Sequence, residues 1–251
     1  MKVAKIKQNI LKQAFNPLHL FNEARLNFTS DCVNIKAMDK SYLIEIHISI
    51  PKHIFKQFEK NDTKMGITVE NINVIDHLFT DDSVINIEID ETKRKLEFSN
   101  DSSRYVQRGS DVKYMRIKGD NETNPLQCEF TVDDSVDELL NGIQLANNIA
   151  THCVVQFRIK HPAIIMCANG DTDTIENMVY ADNIQISDEL YEQDKSDLEL
   201  KLPLDKFIDI TKILPRNKAI KIGMTNQDEL VISYPVVDNI GKVNIKLAGR
   251  L

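Results

Sequence analysis

The sequence holds no tryptophan, only eight glycines in 251 residues, and no excess of positive charge: its formal net charge is −7. So little glycine leaves hardly any material for a phosphate-cradling loop, and neither GxGxxG nor GxxxxGK[ST] occurs. No apolar run approaches the ~20 residues that a membrane-spanning helix needs. The opening MKVAKIKQNIL is basic but lacks an apolar stretch followed by a cleavage site, so it does not read as a signal peptide. Cys32, Cys128, Cys153 and Cys167 stand far apart, with no CxxC pair and no metal-ligand spacing. They read as buried thiols of a reducing compartment. The expectation is a soluble intracellular protein without a membrane partner, cytoplasm or nucleus depending on the organism. The negative charge excludes nucleic-acid binding by simple surface attraction, unless the basic residues are segregated onto one face.

Catalytic signatures are also missing. The six histidines (His19, His47, His53, His77, His152 and His161) are scattered, and no HExxH or GxSxG occurs. Asp171 and Asp173 form a DxD, and Asp133–Asp134 is a second acidic pair, but neither has a histidine near it in sequence. Lone acidic pairs are usually turns or caps. The same holds for Asp39 after Met38, which reads as a turn-stabilising carboxylate. The sequence predicts no catalytic residue, no metal and no cofactor, hence a non-enzymatic protein.

What is present is a repeated plan. In residues 22–41, NEARLNFTSDCVNIKAMDKS, a helical segment leads into an alternating run, a Ser-Asp turn and a second alternating run. Residues 153–171, CVVQFRIKHPAIIMCANGD, repeat that order about halfway along. The far ends agree as well: VINIEIDETKRKLEFS from residue 84 and AIKIGMTNQDELVISY from residue 219 both read strand, polar turn, strand. Such repetition suggests two copies of one supersecondary plan. Residues 118–125, KGDNETNP, are polar, turn-rich and central, and read as a linker. The expected domains are therefore 1–117 and 126–251, an α+β pair of roughly 110–130 residues each. Helices are expected near 10–21 (with Pro17 as an irritant), 70–79, 135–150 (Ser135 and Glu138 forming a capping box) and 204–214. Residues 42–50 alternate over nine residues and read as a strand, and residues 187–197 read as an acidic loop.

The residues that repeat also carry a resemblance. The order helix, FNEARLNFTSDCVNIKAMDKS, alternating strand is similar to the sliding clamps of the proliferating cell nuclear antigen (PCNA) family, in which a helix ending Glu-Ala leads to Met-Asp-x-Ser. Met65-Gly66-Ile67 resembles that family's Met-Gly-hydrophobic strand, and 168–171 its Ala-x-Gly-Asp. Thr211 to Pro215 resembles Thr-Lys-Ala-x-Pro, and the terminal 247–251 resembles Leu-Ala-Pro-Lys/Arg-Ile. The likeness spans the whole chain.

The resemblance implies two similar clamp-type domains, helices on antiparallel sheets, in a three-subunit ring with helices lining the hole. It implies a processivity factor of DNA replication and repair that encircles duplex DNA without reading its sequence. DNA polymerase, clamp loader, flap endonuclease and ligase would be tethered through short apolar motifs. A homotrimer is expected, with a heterotrimer as the other possibility. The alternative function is a clamp-like subunit of a mixed ring, acting mainly as a protein-binding adaptor. The DNA-facing candidates are Lys7, Lys12, His77, Lys206, Lys212 and Arg216. The helix at 135–150 carries no basic residue, where the family usually places some. The partner-motif pocket would be formed by Met38, Tyr42, Leu43, Leu126, Ile245, Leu247 and Ala248, with Lys246 beside them. Here the chain departs from the family: Glu229 stands where a proline is common, Gly249 replaces the tail proline and Lys246 replaces an aromatic.

Overall fold

The computed structural model describes residues 2–59, 62–115, 117, 124–133, 136–192, 197–216, 218–236 and 241–249. The chain divides into two compact units, Met1–Gly119 with Pro235–Val243, and Asp120–Tyr234 with Asn244–Leu251. Residues 235–243, expected in the second domain, thus cluster with the first unit. A Cβ at Gly241 would lie 3.1 Å from the Ser49 carbonyl oxygen, an approach that glycine permits. Most of the expected linker, 118–123, lies outside the described residues, as do Ser135 of the expected capping box and the final residues 250–251.

The first unit runs β1 (Lys2–Lys7), α1 (Gln8–Phe15), β2 (Glu23–Phe28), β3 (Cys32–Met38), β4 (Ile44–Pro51), β5 (Gln57–Phe58), β6 (Thr63–Thr68), α2 (Ile72–Leu78), β7 (Val84–Asp90), β8 (Lys95–Ser99) and β9 (Arg104–Arg108). The second runs β10 (Leu126–Val132), α3 (Val136–Asn147), β11 (His152–Arg158), β12 (Ala163–Asn169), β13 (Thr174–Tyr180), β14 (Asn183–Ile186), α4 (Asp188–Glu192), β15 (Asp197–Pro203), α5 (Leu204–Thr211), β16 (Ile220–Thr225), β17 (Glu229–Val236) and β18 (Gly241–Ala248), except that the end of β17 and the start of β18 cluster with the first unit.

The repeat is visible in the strand orders. In the first unit, β5-β1-β7-β8-β9 forms one series of neighbours and β4-β3-β2-β6 the other. In the second, β14-β10-β16-β17-β18 and β13-β12-β11-β15 follow the same plan, with α1 and α3, and α2 and α5, at matching places. The registered pairs are antiparallel, for example Leu26 with Ile35 and Val155 with Met166. Alternating burial shows why these segments are strands: Ile44, Ile46, Ile48 and Ile50 point inward along β4 while the residues between them are half-exposed. In the first unit, Ile6 and Ile87 from one sheet, Leu26 and Ile35 from the other, and Leu11 and Phe15 from α1 line a single apolar interior. Phe15 meets Phe98 edge-on at 6.2 Å, and Phe130 meets Phe157 at 5.4 Å in the second unit.

Three elements differ from the sequence expectation. The first helix ends at Phe15, and residues Asn16–Leu20 form a 3-10 turn with Pro17 near its start, because proline cannot donate the next helical hydrogen bond. The fourth strand starts at Ile44 rather than Tyr42, since Tyr42 adopts a left-handed φ of 60°. The expected acidic loop contains the short helix α4, begun by the Leu190 amide donating to Ser187 Oγ at 3.3 Å and anchored by the buried Leu190.

Candidate nucleic-acid and partner surfaces

In the first unit α1 presents Leu11, Ala14 and Phe15 inward and leaves Lys12 exposed. The fully buried Gln8 fixes the helix pair: its Nε2 donates to the Ile75 carbonyl at 3.2 Å and to Asp76 Oδ1 at 3.4 Å. Burial raises the Asp76 carboxyl above its ordinary value, while Lys12, His19 and His77 nearby act in the opposite sense. Lys7 ends β1 in an exposed position and His77 is exposed in the last turn of α2. Lys12 Nζ lies 3.8 Å from Asp81.

In the second unit α3 and α5 pack on each other. The exposed side of α3 carries Asp137 and Glu138 in its first turn, where carboxylates suit the positive end of the helix dipole, followed by Asn141, Gln144 and Leu145. Lys206 is half-buried on α5, Lys212 occupies its C-cap and Arg216 follows, exposed. Neither of the last two stands apart: Lys212 Nζ is 2.6 Å from Asp209, and Arg216 Nη1 is 3.0 Å from Asp137. Across α3, α5 and the residues to 216, the sequence carries three cations, Lys206, Lys212 and Arg216, and four carboxylates, Asp137, Glu138, Asp205 and Asp209. By formal charge these segments of the second unit are balanced rather than cationic.

The apolar candidates divide by burial. The turn after β3 is organised by Asp39, the stabilising carboxylate the sequence suggested. Its Oδ1 accepts from the Leu43 and Ile44 amides at 2.8 and 2.9 Å, and Ser41 Oγ donates to its Oδ2. This network holds Tyr42 at positive φ, a conformation costly for a bulky residue, and leaves the residue 51% exposed. Met38 and Leu43 flank it, half-buried.

In the second unit Leu126 opens β10, half-buried and opposite Thr225. Ile245 and Leu247, in contrast, are completely buried. As pocket side chains they are a correction to the sequence expectation: alternation along β18 turns them into the core, and Lys246 and Ala248 outward. Two of the three departures from the family, Glu229 and Lys246, meet. Glu229 Oε2 accepts from Asn124 Nδ2 at 2.7 Å and Thr225 Oγ1 at 3.4 Å, and lies 3.9 Å from Lys246 Nζ. The sequence separation of 105 residues between Asn124 and Glu229 hid this cluster from sequence reasoning.

The ring that the resemblance implies requires edge strands that pair across subunits, but the sequence did not say which strands those are. β9 ends one strand series and β13 another. Val106 on β9 and Met178 and Tyr180 on β13 are exposed large apolar side chains, a signal that the period-two pattern carried. Beside β9, Glu97 is clasped by Arg104 and Lys95, whose hydrogen bonds hold its carboxyl down at about 2.

The acidic pairs sit in solvent. Asp173 belongs to an exposed turn closed by the Gly170 amide donating to its carbonyl at 2.8 Å, and Asp134 is outside the described residues. Among the described residues no group of three or more His, Cys, Asp or Glu could hold a metal ion, and no helix is long and apolar enough to cross a membrane. Burial pushes the Cys128 and Cys153 thiols up to about 12, so neither is a nucleophile near neutral pH.

Comparison with known proteins places this architecture. Residues 1–123 match the family model for the N-terminal domain of proliferating cell nuclear antigen. A DNA polymerase sliding clamp of Methanococcoides burtonii is 23% identical over 249 residues, covering 99% of this chain and 98% of that protein. Among solved structures, A. fulgidus PCNA bound to the C-terminal region of FEN-1 superposes with a TM-score of 0.81 at 16% identity, over 100% of this chain and 99% of that one. A PCNA2–PCNA3 complex from Sulfolobus tokodaii gives 0.76 at 18% identity, with the same coverage of both chains. Residues 1–123 thus belong to the N-terminal domain family of proliferating cell nuclear antigen, and the chain as a whole is similar to members of that family along its entire length.

Proposed function

We propose that the protein is a DNA sliding clamp, a non-enzymatic processivity factor that closes into a three-subunit ring around duplex DNA inside the cell. The observation that carries this reading is the duplicated unit with two strand edges, β9 and β13, that bear exposed apolar side chains. An exposed apolar edge is an aggregation hazard unless a second chain pairs with it, and head-to-tail pairing that closes on itself makes a ring. Val106 flanked by Arg104 and Arg108 on one edge complements Met178 and Tyr180 beside Glu176 on the other. This complementarity within one sequence supports a homotrimer. Lys7, Lys12, His77, Lys206, Lys212 and Arg216 lie on or next to the helices that would face the DNA.

The partner surfaces are Met38, Tyr42 and Leu43 in the first unit, and Leu126 with Ala248 in the second. They suit the apolar anchors of short motifs carried by DNA polymerase, clamp loader, flap endonuclease or ligase, where a few buried anchors supply most of the affinity. The balanced charge of the α3–α5 layer favours a second reading, a subunit of a mixed ring whose other members supply the cations.

Native mass measurement of the purified chain separates the two. A trimer supports the homotypic clamp. A persistent monomer that assembles only with related chains supports the mixed ring. A trimer that is never retained on end-blocked linear duplex would refute encirclement in either form.

A further inference from the structure

Two cations of the α3–α5 layer, Lys212 and Arg216, each stand beside a carboxylate of the same unit. Lys212 Nζ is 2.6 Å from Asp209 one turn earlier, and Arg216 Nη1 is 3.0 Å from Asp137 in the first turn of α3. Glu138 and Asp205, both exposed, add two further negative charges against the one cation Lys206. The helices of the first unit show the same arrangement: Lys12 faces Asp81 at 3.8 Å, with Asp76 and the exposed Asp82 nearby in the chain.

We propose that Asp137 and Asp209 determine how this protein engages DNA: they offset Arg216 and Lys212 so that the layer does not bind phosphate, and duplex DNA is retained by enclosure instead. The inference rests on the clamp reading above and deepens it. Exposed ion pairs are individually weak, so the carboxylates do not lock the cations away. They act through charge. A phosphate approaching Lys212 or Arg216 also approaches a carboxylate within hydrogen-bond reach of the same cation, and the favourable and unfavourable terms cancel. Phosphate neutralisation releases condensed counterions and makes binding fall with salt by roughly 0.9 log units per contact for each tenfold rise. A layer with three cations and four carboxylates releases almost none. The ring then slides with little electrostatic friction, and salt does not dislodge it.

The test threads the purified protein onto a long linear duplex fixed at one end, then blocks the free end with streptavidin. Retention is followed through a tenfold rise in KCl, with the oligomeric mass measured in the same buffers. The expected result is unchanged retention on blocked DNA, rapid loss from unblocked DNA at every salt, and no binding to short duplex. The Asp137→Asn, Asp209→Asn double variant should gain short-duplex binding that falls over that salt range by about sixtyfold for each subunit that engages the duplex, the value for two contacts at roughly 0.9 log units each. Adding Lys212→Ala and Arg216→Ala to that variant should abolish the gain. Salt-sensitive release of an intact trimer from blocked DNA, or no gain in the double variant, overturns the inference and leaves the clamp reading standing. Failure of an intact trimer to thread at all overturns the clamp reading, and the inference with it.

Discussion

Leu126 and Leu247 belong to the same unit and were both expected in a partner pocket, yet they differ sharply in burial. Leu247 is completely buried in β18, so Leu247→Ala removes a filled core volume and should cost about 2–5 kcal/mol. For a chain of this size each kcal/mol lowers the melting temperature by roughly 2–4 °C, so a fall of about 4–20 °C is expected. Leu126 is half-buried at the first position of β10, where neighbouring strands do not enclose it. Full burial of a leucine side chain is worth about 1.5–3 kcal/mol. Half of that, without a closed cavity, gives about 1 kcal/mol and a shift of roughly 3 °C. The assay is thermal unfolding by circular dichroism alongside fluorescence anisotropy of a labelled peptide bearing apolar anchors. Leu126→Ala should weaken the peptide about tenfold or more, the loss of ~1.4 kcal/mol that marks a buried anchor, while barely moving the melting curve. The reasoning is refuted if Leu126→Ala destabilises as much as Leu247→Ala, or if peptide affinity is unchanged.

Two further outcomes test the edge strands and the surface charge. Val106→Asp and Met178→Asp each place a carboxylate on an exposed edge position, so native mass should fall to that of one chain, with stability changed by only about 0.5 kcal/mol; persistence of the trimer in both variants would count against edge pairing. Glu97 has its folded-state pKa depressed from 4.5 to about 2 by Arg104 and Lys95, so its contribution is fully present above pH 4.5 and is lost as pH falls through 2. Because Arg104 is more than half exposed, solvent screening limits that contribution to about 1 kcal/mol. Glu97→Gln should flatten stability against pH between 4.5 and 2, as read by urea unfolding, and an unchanged slope would show that the clasp contributes nothing.

The sequence alone determined the periodic features. Period-two alternation in segments such as 84–99 and 219–234 identified strands, because one face of each must be buried and the other is not. The repeated order of turns and strands exposed the duplication, because each copy needs the same succession of local conformations. Asp39 was legible as a turn residue, since a short carboxylate after a strand bonds amides only a few residues ahead. Tertiary structure decided what depends on residues far apart in the chain. Ile245 and Leu247 looked like pocket residues until strand pairing turned them into the core. Glu229 and Lys246 looked like two separate departures from the family, and proved to be one ion pair tied to Asn124. The basic residues could be counted in the sequence, but not their distances to carboxylates: Arg216 meets Asp137 across 79 positions of chain. Local pattern specifies conformation within a few residues. Burial and charge compensation are set by whichever distant groups the fold brings alongside, and those no window of sequence contains.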